Sequence, residues 1–213
     1  MTKFAQPGRR IDIGRDRDAF RLHVRETVLV AAASILRNDG PAALTLRRVA
    51  QDVGASTKVI YTTFGGKDGL FDALYLRSYA GLQAAMEMAS SAQDTETRLR
   101  SICDAYRDYA LAEPGFYNVM YGDLGRSWQA PPESRAQAGQ TFRILREAVA
   151  AMRPSCPSDN VIQITRQLWA AMHGLVSLQM RGLLSDEEDF DTLFHDTVAV
   201  IYNGSLSGGK TEI

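Results

Sequence analysis

The stretch from 45 to 70, Thr45-Leu-Arg-Arg-Val-Ala-Gln-Asp-Val-Gly-Ala-Ser-Thr-Lys-Val-Ile-Tyr-Thr-Thr-Phe-Gly-Gly-Lys-Asp-Gly-Leu70, leaves this chain the least freedom in how it can fold. Leu46, Val49, Ala50 and Val53 recur at helical spacing, and Gly54 stops the run. Ser56 is placed to cap a second short run whose inward face is Val59, Ile60 and Phe64. The pattern predicts two short helices joined by a tight turn. Such a turn commonly takes a positive φ, which a Cβ opposes, and Gly54 stands where that requirement falls. Thr45 is positioned to cap the first helix, its hydroxyl accepting from a free backbone N–H. A Glu or Gln three positions on would complete a capping box. Arg48 stands there instead, which predicts a weaker cap and a cation that can face outward.

The charge of the chain is split along its length. Residues 1–70 carry 12 Lys and Arg against 7 Asp and Glu, whereas 71–213 carry 12 against 18. An excess of cations confined to the end with the paired short helices fits a nucleic-acid surface there and not elsewhere. Cys103 and Cys156 are far apart and lack metal-ligand spacing, as in a reduced cytosolic protein. No charged-then-apolar leader is expected, and no apolar run approaches the ~20 residues of a membrane helix. The cytoplasm is the expected location.

The order Thr45, Arg47, Val49-Ala50, Val53-Gly54, Ser56, Ile60-Tyr61, Phe64, Lys67 and Leu70 resembles the DNA-binding signature of the TetR family of bacterial transcriptional regulators. Val28, Leu29, Ala31, Ala32, Ile35, Leu36 and Gly40 match that family's first helix. The resemblance implies an all-α chain of about nine helices. A tail (1–16) would precede a three-helix helix-turn-helix DNA-binding domain (17–66) and a helical effector-binding and dimerisation domain (67–213). It also implies a homodimer, paired through the last two helices, that represses from a palindromic double-stranded operator until a small effector releases it; the sparse charge among the inner aromatic residues points to a largely apolar effector. The alternative is a TetR-like ligand-binding or interaction module without operator binding. It is motivated by Thr62 and Thr63, where many members carry His or an aromatic residue.

The DNA-facing candidates are Thr45, Arg47, Arg48, Ser56, Thr57, Lys58, Tyr61, Thr62 and Lys67. By family position Thr57 and Lys58 lie deepest in the major groove, and Lys58 departs from the small residue common there. Lys58 could donate to guanine and Thr57 could touch a thymine methyl. Thr45, Tyr61 and Lys67 are expected on phosphates. Lys67 also opens the fourth helix, where free N–H groups favour an anion. The arginines Arg9 and Arg10 lie in the tail, which is expected to be mobile.

The first helix is predicted over about 18–38, with Val24, Val28, Ala31, Ala32, Ile35 and Leu36 buried, before Gly40-Pro41 breaks it. A helix over about 67–90 buries Leu70, Phe71, Leu74, Tyr75, Leu82 and Met86 and is long enough to transmit a signal from the DNA end. Helical spacing resumes over 95–112 and is ended by Pro114-Gly115. A short helix through Phe116 and Met120 follows, then a loop over 122–132 and helices over 133–152, 159–183 and 187–202. Tyr106, Tyr109, Phe116, Met120, Tyr121, Trp128, Phe142, Trp169, Met172 and His173 form an aromatic and polar set that could line a ligand pocket or simply fill the core. Trp169, His173 and Gly174 resemble the Trp-x-x-x-His-Gly segment of one C-terminal subclass of the same family. No metal spacing among the histidines, no cofactor motif and no nucleophile elbow is present, so neither an enzyme nor a metal or cofactor is expected.

Overall fold

The computed structural model of the chain describes residues 13–92, 94–121, 128–184 and 187–204. Among the described residues there are nine α-helices and no strand. They are α1 (Ile13–Asp39), α2 (Leu46–Asp52), α3 (Thr57–Phe64), α4 (Lys67–Ala89), α5 (Thr95–Ala112), α6 (Pro114–Tyr121), α7 (Pro132–Met152), α8 (Ser158–Met180) and α9 (Glu187–Gly204). A single 3-10 turn, Pro41–Ala43, links α1 to α2.

The helix-turn-helix forms as its residues dictate. Val28, Leu29, Ala32, Ala33, Ile35 and Leu36 of α1 are buried against Val49 and Ala50 of α2 and Ile60 and Phe64 of α3. Thr45 caps α2, its Oγ1 accepting from the Arg48 N–H at 3.1 Å. Gly54 takes φ 64° in the turn, and Gly65 ends α3 at φ 76° in the left-handed region. Gly69 lets α4 start directly against the end of α3, since a Cβ there would stand 1.8 Å from the Phe64 carbonyl oxygen.

Four expectations change. Helix α1 is already formed at Ile13, so 13–16 belong to it rather than to a tail; residues 1–12, with Arg9 and Arg10, lie outside the described residues. Ser56 occupies the cap position of α3 without a side-chain capping bond. Val59 is 37% exposed, because an eight-residue helix buries one ridge, Ile60 and Phe64 four apart, and Val59 falls about 100° around from it. Pro114 and Pro132 open α6 and α7, since proline lacks only an N–H that the first helical position leaves unpaired anyway.

Helix α4 is the central strut, packed against α1, α3, α5, α6 and α7. Its 23 residues reach about 34 Å at 1.5 Å per residue. Helix α6 lies against α1 so closely that a Cβ at Gly115 would sit 2.7 Å from the Ala33 carbonyl oxygen. Glu26 of α1 accepts from Arg77 of α4 at 2.8 Å, and that guanidinium covers the Phe116 ring of α6 at 4.8 Å. On the far side α9 is tied to α5 by His195 to Asp104 at 2.7 Å and by Arg107 to Asp191 at 2.8 Å. Trp169 and Leu178 of α8 and Leu193 and Val200 of α9 remain exposed. No helix among the described residues is long and apolar enough to cross a membrane.

Candidate nucleic-acid interface and internal cavity

All the DNA-facing candidates, Thr45, Arg47, Arg48, Ser56, Thr57, Lys58, Tyr61, Thr62 and Lys67, are exposed. The buried anchors Ile60 and Phe64 hold α3 from behind, and Arg25 lies over the Phe64 ring at 5.0 Å. Thr62 and Thr63 donate their hydroxyl protons to the carbonyls of Lys58 and Val59, both at 2.8 Å, so each hydroxyl is left as an acceptor. Lys67 stands at the first position of α4 with its ammonium 5.2 Å from the Phe71 ring centre. Arg48 is engaged by two carboxylates, Asp39 at 3.3 Å and Asp52 at 3.1 Å, which balance its charge locally. Arg47, Lys58 and Lys67 have no ion-pair partner among the described residues, so these three present uncompensated charge. A surface of this kind, a short helix stiffened from behind with free cations and hydroxyls around it, suits contact with a polyanion.

Between α4, α5, α7 and α8 lies a cavity of about 460 Å³. Five of the predicted residues line it: Tyr106, Tyr121, Phe142, Trp169 and Met172. They are joined by Tyr75, Tyr79, Arg135 and Arg166, which the pocket set does not include. Five candidates are not in this lining. Tyr109 donates to the Ser78 carbonyl at 2.7 Å, Phe116 sits beneath Arg77, and Met120 is buried elsewhere in the core. Trp128 packs edge-on against Phe71 and Tyr75, with ring centres 5.7 and 6.0 Å apart. His173 faces a second, polar cavity of about 320 Å³, shared with Tyr117, Ser177 and Arg181.

One hydrogen-bonded network joins the two cavities. The Tyr106 and Tyr121 hydroxyls are 3.2 Å apart, and the Trp169 indole N–H donates to the Tyr121 oxygen at 3.1 Å. The Tyr106 and Tyr117 hydroxyls are 2.9 Å apart, and Tyr117 lies 2.8 Å from His173 Nδ1. A phenol has one proton to give. The Tyr106 proton goes to Tyr121 or to Tyr117, and the tautomer of His173 sets the direction of its bond with Tyr117. Burial holds the His173 pKa below its ordinary value and raises those of Tyr106, Tyr117 and Tyr121, so the whole network is neutral near pH 7. Burial likewise raises the Cys103 thiol, which argues against a reactive cysteine. No group of His, Cys, Asp and Glu among the described residues could hold a metal ion.

An exposed recognition helix at one end and an aromatic cavity open at one side of the helical body define a helix-turn-helix regulator with room for a small molecule. The comparisons agree on the class. Residues 28–74 match the family model for bacterial regulatory proteins of the tetR family, and residues 99–201 match the tetracyclin repressor-like C-terminal domain. The chain belongs to the TetR family of helix-turn-helix transcriptional regulators. It is 23% identical over 174 residues to the uncharacterized HTH-type transcriptional regulator Rv0681 of Mycobacterium tuberculosis, covering 82% of this chain and 78% of that protein. It is 28% identical over 170 residues to the HTH-type transcriptional regulator BetI of Paraburkholderia phytofirmans, covering 79% and 85%. The crystal structure of the TetR family regulator PfmR from Thermus thermophilus superposes with a TM-score of 0.62 at 21% identity, over 86% of this chain and 99% of that one. These relatives are regulators rather than enzymes.

Proposed function

We propose that the protein is a cytoplasmic homodimeric repressor that binds a palindromic operator through α2 and α3 and lets go when an effector fills the 460 Å³ cavity. In this reading residues 17–66 act as the DNA head and 67–213 as the effector and dimerisation body. The observation that carries it is the coexistence, in one chain, of an exposed recognition helix and an aromatic cavity joined by continuous packing. Repression is supported by the tetracyclin repressor-like match. The Trp169, His173 and Gly174 run supports placing the body in the Trp-x-x-x-His-Gly subclass.

Dimerisation through α8 and α9 is supported by the exposed Trp169, Leu178, Leu193 and Val200. A two-fold dimer also doubles the few contacts one short helix can make and reads half-sites one helical turn, ~34 Å, or more apart. Tyr61 and Lys67 hold phosphates, and Lys58 and Thr57 read bases. The switch runs through α6 as well as α4. Tyr117 and Tyr121 belong to the network at the cavity wall, and Gly115 and Phe116 of the same short helix rest on α1 and on Arg77. A ligand that repositions Tyr121 moves α6 against the first helix of the DNA head. The test is selection of bound fragments from a DNA library, with oligomeric state measured by light scattering on the same sample. An inverted repeat bound by dimers is expected; recovery of no preferred sequence would leave a ligand-binding module without an operator.

A further inference from the structure

The cavity specifies a charge as well as a size. Six aromatic side chains line it, and an aromatic cage of this kind would by itself suit an uncharged ligand or a quaternary ammonium. Two arginines, Arg135 of α7 and Arg166 of α8, belong to its lining, and among the described residues no Asp or Glu does. Neither guanidinium has a carboxylate partner among the described residues. Arg135 gives one N–H to the Ala130 carbonyl at 2.8 Å, which fixes the side chain at the base of α7, and its other donors meet no acceptor among the described residues. Arg166 makes one long bond, 3.4 Å, to Gln163. Both residues are exposed, whereas Tyr106, Leu145 and Met172 at the inner end are buried. The charge therefore sits at the mouth and the apolar surface inside. Two uncompensated positive charges repel a cationic ligand, and planar guanidinium forks match a carboxylate.

Resting on the reading of this cavity as the effector site, we propose that the effector is an amphipathic organic anion. It carries one carboxylate head, held at the mouth by Arg135 and Arg166, and an aliphatic or aryl body stacked among Tyr75, Tyr79, Phe142 and Trp169.

The test uses the full-length protein and probes that differ only in the head: decanoate and 4-phenylbutyrate, their primary amides, and decyltrimethylammonium. Binding is followed by calorimetry and by tryptophan fluorescence, because Trp169 lines the cavity and Trp128 packs on the lining residue Tyr75. Carboxylates are expected to bind at least about tenfold more tightly than their amides, as loss of a charge-assisted hydrogen bond implies. The double variant Arg135→Gln/Arg166→Gln, at exposed positions, should abolish that preference while leaving the circular dichroism spectrum unchanged. Equal binding of acid and amide, tighter binding of the ammonium, no binding of any probe, or a carboxylate preference that survives the double variant would each overturn the proposal. Anisotropy on a selected operator without probe reports separately on the regulator. Intact operator binding with any of those four results removes this inference alone, whereas carboxylate binding without operator binding removes the repressor alone.

Discussion

Gly115→Ala is the sharpest mechanical test of how the cavity is joined to the DNA head. The added Cβ would stand 2.7 Å from the Ala33 carbonyl oxygen, 3.0 Å from its carbon and 3.3 Å from its Cβ. Two of these are backbone atoms inside α1, so no side-chain rotation relieves the contact, and α6 must lift from α1. Overpacking of this kind costs about 1–3 kcal/mol. Ala regains up to about 1 kcal/mol of helix propensity, less in a first turn, so a net loss of about 1–2 kcal/mol is expected. For a chain of this size each kcal/mol moves Tm by about 2–4 °C, which predicts a fall of about 2–8 °C. Gly139→Ala is the matched control. Gly139 is also helical, but a Cβ there meets nothing within 4 Å, so the same substitution should raise Tm by about 2–4 °C. Both are read by circular dichroism at one protomer concentration without ligand, since subunit association itself shifts Tm. Equal increases for the two variants would refute the close α1–α6 contact and the route from cavity to head built on it.

The remaining predictions concern the DNA face, the phenol network and alkaline pH. Lys67→Ala should weaken binding to all DNA sequences alike and lower the slope of log affinity against log salt by about one, whereas Lys58→Ala should change which sequences are selected; an unchanged preference removes Lys58 from the base-reading set. Tyr106→Phe removes a hydrogen-bond partner from the buried Tyr117 and the half-buried Tyr121 and should cost about 1–3 kcal/mol; a Tm at or above wild type would contradict the network. Burial raises the pKa of Tyr79, Tyr106, Tyr109, Tyr117 and Tyr121 above the value of 10.0 expected in the unfolded chain. The folded state then holds more protons than the unfolded one above pH 10, so this stability is intact below about pH 10 and falls as pH rises beyond it. Tyrosinate absorbance at 295 nm from these five residues should appear together with loss of helical signal. Ionisation of all eight tyrosines with native dichroism would refute their burial.

The DNA head was legible because its determinants are local. Spacing in one short window, a glycine at the turn and a threonine at the cap specify each helix without reference to the rest of the molecule. The misplaced details are those that neighbours decide. Val59 looked inward by periodicity, but α3 is too short to bury more than one ridge. Pro114 looked like a terminator, whereas an N–H that needs no partner makes proline as fit to open a helix. The cavity was half legible. Tyr106, Phe142, Trp169 and Met172 carry an aromatic or methionine signal at helical spacing, yet so do Tyr109, Phe116 and Met120, which the core absorbs. Periodicity says which residues face inward and not which helix they meet. Arg135 and Arg166 gave no signal, because an arginine on an exposed helical face resembles any other until a second helix brings the two to one cavity mouth.

Operator affinity measured with the cavity empty and with it filled tests the account most directly. Fluorescence anisotropy on the selected inverted repeat, at fixed salt, would be titrated without and then with a small molecule shown by calorimetry to bind the wild-type cavity. An allosteric coupling of about 1–3 kcal/mol predicts that affinity falls roughly 5–150-fold on filling. A ligand that binds tightly and leaves operator affinity unchanged would contradict the account, because only a difference in affinity between the two states can move the switch.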